Sequence, residues 1–366
     1  MALRVLLIEP YYGGSHRAWA DGYRAFSGHS VDLLTLPAHF WKWRMQGGAV
    51  TLARLFNASA HDPDAILASD MFDLAAFRAL TRRRTAHIPT ALYFHENQLT
   101  YPQNARQRHG WRYGFTNYVS ALAAERVYFN SAFHCEAFFA ALPKMLKHFA
   151  DYNELESAAA LRQRAAVLPL GLDLRRYDAH RCAPDSAAPP LIVWNHRWEA
   201  DKNPAAFFAA LDQLAEQGVP FRVALLGENF EARPAAFEAA RQRLGARVVQ
   251  YGYVADFSAY ARLLWQADYV VSTAYQDFFG AAVAEAMYCG CVPLLPDRLN
   301  YPALLPEGQR AACLYPRDRL LPLLLRHLRG EASADREALR ASAARFDWAR
   351  LAPQYDAALS RLAQGA

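Results

Sequence analysis

Short apolar runs alternate along the chain with stretches in which apolar residues recur every three to four positions. Residues Arg4 to Glu9 (RVLLIE) form the first run, which ends at Pro10 and passes through Gly13, Gly14 and Ser15. It is followed by helical spacing through Trp19, Tyr23 and Phe26. This order predicts a buried strand, a glycine turn with Ser15 as N-cap, and a helix with one inward face. Further runs at Val31 to Leu36, Ala65 to Ala68, Thr90 to Phe94, Arg126 to Phe129 and Ala166 to Leu168 are separated by helical patterns. Strands alternating with helices imply a parallel sheet covered on both faces.

The segment Arg181 to Pro190 (RCAPDSAAPP) interrupts this pattern with prolines among small and polar residues, and it reads as a linker. The alternation then restarts, with strands expected at Leu191 to Trp194, Arg222 to Leu226, Arg247 to Tyr251, Tyr269 to Ser272 and Val292 to Leu295. A final amphipathic stretch begins at Phe346. Two α/β domains follow, at residues 1–180 and 188–345, with residues 346–366 returning to the first. A length of 366 residues is more than one core usually organises.

Composition narrows the class. Apolar residues make up 53% and charged residues 20%, and no apolar run reaches the ~18 residues that a membrane span needs. The N-terminus has no secretory cleavage pattern, so a soluble, cytoplasmic protein is expected. The five cysteines, Cys135, Cys182, Cys289, Cys291 and Cys313, have no zinc-like spacing; they read as reduced thiols, and no metal site is expected. Net charge is +5, from 20 Lys and Arg against 15 Asp and Glu up to His180, and 20 against 20 beyond. Basic clusters at Arg82, Arg83, Arg84, at Arg106, Arg108, Arg112 and at Lys144, Lys147 are partly interleaved with Trp43, Trp111 and Tyr113. They suit a phosphate backbone or an ordinary solvated surface.

Ligands of open parallel sheets bind at the carboxyl ends of the strands. After the first strand, Gly13 and Gly14 offer an anion-binding turn, or simply a turn that needs positive φ. After the strand ending at Phe94 come His95, Glu96, Asn97 and Gln98, four polar side chains that suit substrate hydroxyls or a capped turn. In the second half Asn195 and His196 lead into Arg197 and Lys202, whose heads could converge on a diphosphate or pair with Glu199 and Asp201. Further on, Asp277, Phe278, Phe279, Gly280 and Ala281 precede Glu285. Here an acid precedes a glycine turn and a helix N-terminus that offers free amides, with a second acid one and a half turns in.

This order resembles the acid-x7-Glu motif of the retaining glycosyltransferases of family four, and Arg197 with Lys202 is similar to their phosphate-binding pair. Leu168 to Asp173, ending at Tyr177, resembles that family's interdomain signature. Tyr251, Gly252, Tyr253 and Val254 match its loop under the nucleotide base. The runs EPYYGGSHRAW, LPAHFWKWRM, YFHENQLTYP, NHRWEADKNP and FFGAAVAEAMYCGCVPLLP look like the tRNA-queuosine α-mannosyltransferase family, a branch of these enzymes. The resemblance implies a GT-B fold, two facing Rossmann-like domains with the donor cleft between them. It also implies GDP-mannose as donor, queuosine of a tRNA anticodon loop as acceptor, and no metal or other cofactor. Asp277 stands where the broader pattern usually has Glu.

On this reading His95, Arg197, Lys202 and Asp277 carry the chemistry. Gly13, Gly14, Asn195, His196, Tyr253, Val254, Phe278, Phe279, Gly280, Ala281 and Glu285 hold the donor, with Glu285 at the ribose and Asp277 at the hexose. Trp41, Trp43, Arg44, Asp70, Glu96, Asn97 and Gln98 face the acceptor. A hexosyltransferase acting on a lipid, polysaccharide or small molecule and a sugar-nucleotide epimerase on the same fold remain as alternatives.

Overall fold

A computed structural model describes residues 2–101, 110–228, 235–316 and 319–365. The chain divides into two compact units, Met1–Asp173 with Phe346–Ala366, and Leu174–Arg345. The crossing therefore falls at Asp173. The proline-rich segment Arg181 to Pro190, expected as the linker, lies wholly within the second unit.

In the first unit the strands are β1 Arg4–Tyr12, β2 Ser30–Pro37, β3 Ala65–Ser69, β4 Thr90–Phe94, β5 Arg126–Phe129 and β6 Ala165–Val167. Its helices are α1 Gly14–Phe26, α2 Trp41–Ala58, α3 Leu74–Thr85, α4 Gly110–Leu122, α5 Ala132–Leu146 and α6 Leu155–Gln163. All strands pair in parallel, in the order β2-β1-β3-β4-β5-β6. Strands β3 and β4 are buried along their whole length, as a sheet covered on both faces requires. Local chemistry starts the helices: Asp73 accepts from the Ala76 amide at α3, and Ser131 from the His134 amide at α5. The N-cap of α1 is Gly13 and not Ser15, because the helix begins at Gly14 and Ser15 already lies inside its first turn.

The second unit holds β7 Leu191–Asn195, β8 Arg222–Leu226, β9 Val248–Tyr251, β10 Tyr269–Val271, β11 Val292–Pro296 and β12 Leu314–Tyr315. Between and after them run α7 Pro204–Glu216, α8 Ala235–Leu244, α9 Phe257–Gln266, α10 Ala281–Tyr288, α11 Tyr301–Leu304, α12 Arg310–Cys313, α13 Leu320–Leu328 and α14 Arg336–Ala344. This sheet is also parallel, in the order β12-β11-β10-β7-β8-β9. The two-residue β12 had no signal in the apolar pattern, because it is too short to show one.

The last helix, α15 Trp348–Ala363, packs on α1, β3 and β4 of the first unit. Trp348 fixes it. A Cβ on Gly22 would lie 2.0 Å from the Trp348 ring and one on Gly171 2.4 Å, so only glycine admits the indole at either position. Leu172 and Phe346–Trp348 exchange two backbone hydrogen bonds beside it, of 2.8 and 2.9 Å. Asp356 then accepts from the Tyr23 and Ser27 hydroxyls and the Gly28 amide.

Candidate active site

Each sheet reverses its strand order once, between β1 and β3 and between β7 and β10. At such a point two neighbouring loops leave in opposite directions and open a crevice at the carboxyl ends of the strands. Both groups of candidate residues lie there.

In the first unit, Glu9 near the end of β1, Asp70 directly after β3 and His95 directly after β4 are all buried. Glu9 accepts from the Tyr11 amide through Oε1 at 2.8 Å, and its Oε2 lies 3.1 Å from His16 Nδ1 and 3.7 Å from His95 Nε2. Burial pushes the His16 imidazolium down, but the Glu9 carboxylate and its hydrogen bond outweigh that and carry the pKa to about 9. His95 is held well below the usual range by burial and by the neighbouring His16 charge, so it is neutral at pH 7. Its backbone amide donates to Asp70 Oδ1 at 2.8 Å. Burial, then the Glu96 charge, raises the Asp70 pKa well above the usual carboxylate value. Asp70 Oδ2, His95 Nε2 and Asn97 Nδ2 have no hydrogen-bond partner among the described residues. Buried polar atoms left open call for a physical reason, and a bound polar ligand is one.

Glu9, His16 and His95 also place one ligand atom each within 4.8 Å of one another, the spacing of a metal site. The Tyr11 amide and His16 each engage one carboxylate oxygen of Glu9.

The second unit builds its site differently. Asn195 ends β7 and donates through Nδ2 to Ala282 O at 2.9 Å and the Tyr260 hydroxyl at 3.2 Å. The Tyr260 hydroxyl also donates to Glu285 Oε2 at 3.3 Å, so α9 and α10 hold Glu285 in place. Burial raises the pKa of Glu285, against the pull of Arg176. His196 is buried and held neutral, its pKa lowered to about 4 by burial and by Lys202. Asn195 Oδ1, His196 Nε2 and Gln276 Nε2 have no hydrogen-bond partner among the described residues. Gly280 caps α10 at φ 94°, and a Cβ there would meet Leu304 at 2.9 Å, so glycine alone keeps the first amides of α10 at this position.

The other candidate residues have partners of their own. Arg197 is exposed with its guanidinium 3.3 Å from Glu199, whereas Lys202 is buried, 3.3 Å from Asp201 and bonded to Gln276 O at 2.6 Å. Asp277 is largely spent on its own loop. Its Oδ1 accepts from the Phe279 and Gly280 amides and its Oδ2 from the Tyr301 hydroxyl, an arrangement the short side chain makes. Asn97 likewise caps its turn, accepting from the Leu99 and Thr100 amides and the Thr100 hydroxyl. Glu96 accepts from Gln98 Nε2 at 2.8 Å. Arg44 donates to Pro37 O, which ties the β2–α2 loop to its helix. Trp43 is exposed over Gly47, and Trp41 meets Tyr113 at 5.2 Å.

Gly13 is extended, and a Cβ on it would meet Ala38 at 2.4 Å, so close packing explains it; Gly14, at φ 50°, is the turn residue. Tyr253 is exposed beside Val254 in the loop after β9, and Phe278 and Phe279 are buried ahead of Ala281. In the basic clusters, Arg84 is used internally, donating to Phe56, Ser59 and His61 carbonyls, while Arg106 and Arg108 lie outside the described residues. Glu9, His16, Tyr260 and Tyr301 were not foreseen. A carboxylate near the end of an otherwise apolar strand was the one available signal for Glu9.

Two parallel six-stranded sheets with polar residues at the switch point of each have the architecture of the GT-B glycosyltransferases. Sucrose-phosphate synthase from Thermosynechococcus elongatus has a similar fold, with a TM-score of 0.73 at 16% identity over 99% of this chain and 100% of that one. Residues 4–172 match the N-terminal family of tRNA-queuosine alpha-mannosyltransferase, and residues 183–341 match the group 1 glycosyl transferases. The chain is 34% identical over 311 residues to the tRNA-queuosine alpha-mannosyltransferase of Drosophila melanogaster, covering 83% of this chain and 82% of the relative. It therefore belongs to the tRNA-queuosine alpha-mannosyltransferase family. A GDP-mannose-dependent phosphatidylinositol dimannoside mannosyltransferase of Mycobacterium tuberculosis is 27% identical over 54% of this chain and 52% of its own.

Proposed function

We propose that the protein transfers mannose from GDP-mannose to queuosine in a tRNA anticodon loop, in the cytoplasm, with retention at the anomeric carbon and without a metal ion. The observation that carries this reading is the similarity to the Drosophila enzyme, which spans both units. The GDP-mannose-dependent relative supports the donor. Lys202 supplies fixed positive charge near the loop that opens α10, whose first amides add the positive end of a helix dipole. Departure of GDP leaves an oxocarbenium-like mannosyl group. An acceptor hydroxyl attacks from the face that the diphosphate vacates and passes its proton to the departing phosphate. Neutral His95 accepts a hydrogen bond from a sugar hydroxyl, and the open Oδ2 of Asp70 offers a second polar contact.

The test is incubation with GDP-mannose or UDP-glucose and queuosine-containing tRNA, with and without EDTA, followed by mass analysis of the nucleosides. A queuosine heavier by one hexose, formed from GDP-mannose in EDTA, is expected. Transfer only to a lipid or glycan extract would replace the acceptor. Loss of turnover in EDTA, restored by a divalent ion, would overturn metal independence. Nucleotide release without acceptor, with a changed sugar, would favour an epimerase.

A further inference from the structure

Large aromatic rings on a soluble surface normally turn inward, yet three lie side by side outside the first unit. Trp111 and Phe115, one turn apart on α4, are 46% and 43% exposed, and Phe149, just beyond α5, is 44% exposed. Trp111 stacks on His148 with centroids 4.9 Å apart and planes within 9°. Phe115 meets Phe149 edge-on at 6.2 Å. Arg112, Lys144 and Lys147 are exposed around them, and no acid occurs between Glu96 and Glu125 or between Glu136 and Asp151.

We propose that this surface is a stacking platform for unpaired bases of an RNA loop. The inference rests on the tRNA reading above and gives it a docking surface. Flat rings bordered by cations and free of acids match a single strand, whose bases offer π-faces while its phosphates offer charge. A paired helix offers neither free faces nor a readable groove. A lipid surface calls for aliphatic side chains that can enter the acyl region, but the exposed large apolar residues among the described ones from Leu99 to Leu155 are all aromatic.

The platform is also joined to the candidate acceptor site through α4. Asn117 on that helix accepts from the Gln98 amide at 2.8 Å and donates to Asp70 O at 3.1 Å. Trp111 precedes Asn117 by six residues, about 9 Å of helical rise, a separation that neighbouring nucleotides of one loop can span.

The experiment measures binding of a labelled short RNA hairpin with an unpaired loop and no queuosine, of the same strand annealed to its complement, and of phosphatidylglycerol vesicles. Wild type is expected to prefer the hairpin. Trp111→Ala with Phe115→Ala should weaken hairpin binding on the order of 10- to 100-fold, leaving GDP affinity unchanged by calorimetry. Trp111→Leu, which keeps apolar bulk without a ring of the same kind, should lose binding, whereas Trp111→Tyr should retain most of it, so a general folding defect is separable from loss of stacking. Lys144→Ala with Lys147→Ala should flatten the salt dependence. Equal hairpin affinity in wild type and the double aromatic variant would overturn the platform, as would loss of vesicle binding with hairpin binding intact. If the variants lose the hairpin but wild type never mannosylates queuosine RNA, the platform stands and the proposed function falls. If wild type mannosylates that RNA and the variants do so at the same rate, the platform falls alone.

Discussion

The two units have the same architecture but arm it in different ways. At the switch point of the first, ionisable side chains are buried against one another: Glu9 holds His16 charged, His95 is kept neutral, and burial raises the pKa of Asp70. At that of the second, the chain relies on a buried lysine, a helix end and a loop tied by its own aspartate. A crevice that must accept or donate a proton at one defined atom needs side chains with displaced pKa values. One that receives a charged group is better served by fixed dipoles and a cation. The exteriors differ in the same sense: of the exposed large aromatic residues among the described ones, Phe26, Phe40, Trp43, Trp111, Phe115, Phe149 and Tyr152 are in the first unit and Tyr253 and Tyr275 in the second.

The sharpest way to break this contrast is to remove the key group of each crevice. Lys202→Ala should lower kcat/KM about 100- to 1,000-fold and weaken GDP binding, whereas His95→Ala should lower kcat and leave GDP affinity, read by calorimetry, unchanged. Equal losses of GDP affinity would mean that the division of labour between units is wrong. Next in size, Glu285→Gln should raise the donor KM by about 10- to 100-fold with little change in kcat, if Glu285 binds ribose hydroxyls. A fall in kcat alone would move Glu285 to the reacting sugar.

Asp277→Ala removes a capped turn, and its main expected effect is a stability loss of about 1 kcal/mol, seen as a lower denaturation midpoint. Asp277→Asn preserves the Oδ1 acceptor and should cost less. A large rate loss in Asp277→Asn with full stability would restore the hexose contact that the sequence pattern implied.

The smallest effect is one of pH. His16 has a folded pKa of about 9, above its usual 6.5, so its stabilisation is complete below pH 6.5 and fades as pH rises through 9. His95 and His134 are held below 6.5, so they take up protons on unfolding, and stability falls as pH drops through 6.5. Denaturation midpoints should therefore be highest near pH 6.5. His16→Gln should remove the alkaline limb only, and an unchanged alkaline limb would show that the Glu9–His16 pair is not what sets it.

Much of this was written in the sequence. Fully buried strands such as Thr90–Phe94 announce themselves because a sheet covered on both faces leaves no place for polar residues, and Gly280 with Glu285 marks a helix end whose spacing depends on nothing distant. Local chemistry along a few residues could be read directly, as could the likeness of whole runs to one family.

What stayed hidden was the partner of each polar side chain. Arg197 and Lys202 look alike in sequence, yet one turns to Glu199 in solvent and the other is sealed against Gln276. Arg84 sits in a run of identical residues, but only its guanidinium caps α2. His16 and His95 are neighbours only because β1 and β4 flank β3 in one sheet, and their opposite charge states follow from Glu9 lying closer to one than to the other. The sequence by itself determined the periodicity, the elements and the chemical alphabet at the strand ends, since these depend on neighbours along the chain. Only the tertiary structure decided which groups are charged, spent or open, because charge and hydrogen bonding depend on neighbours in space.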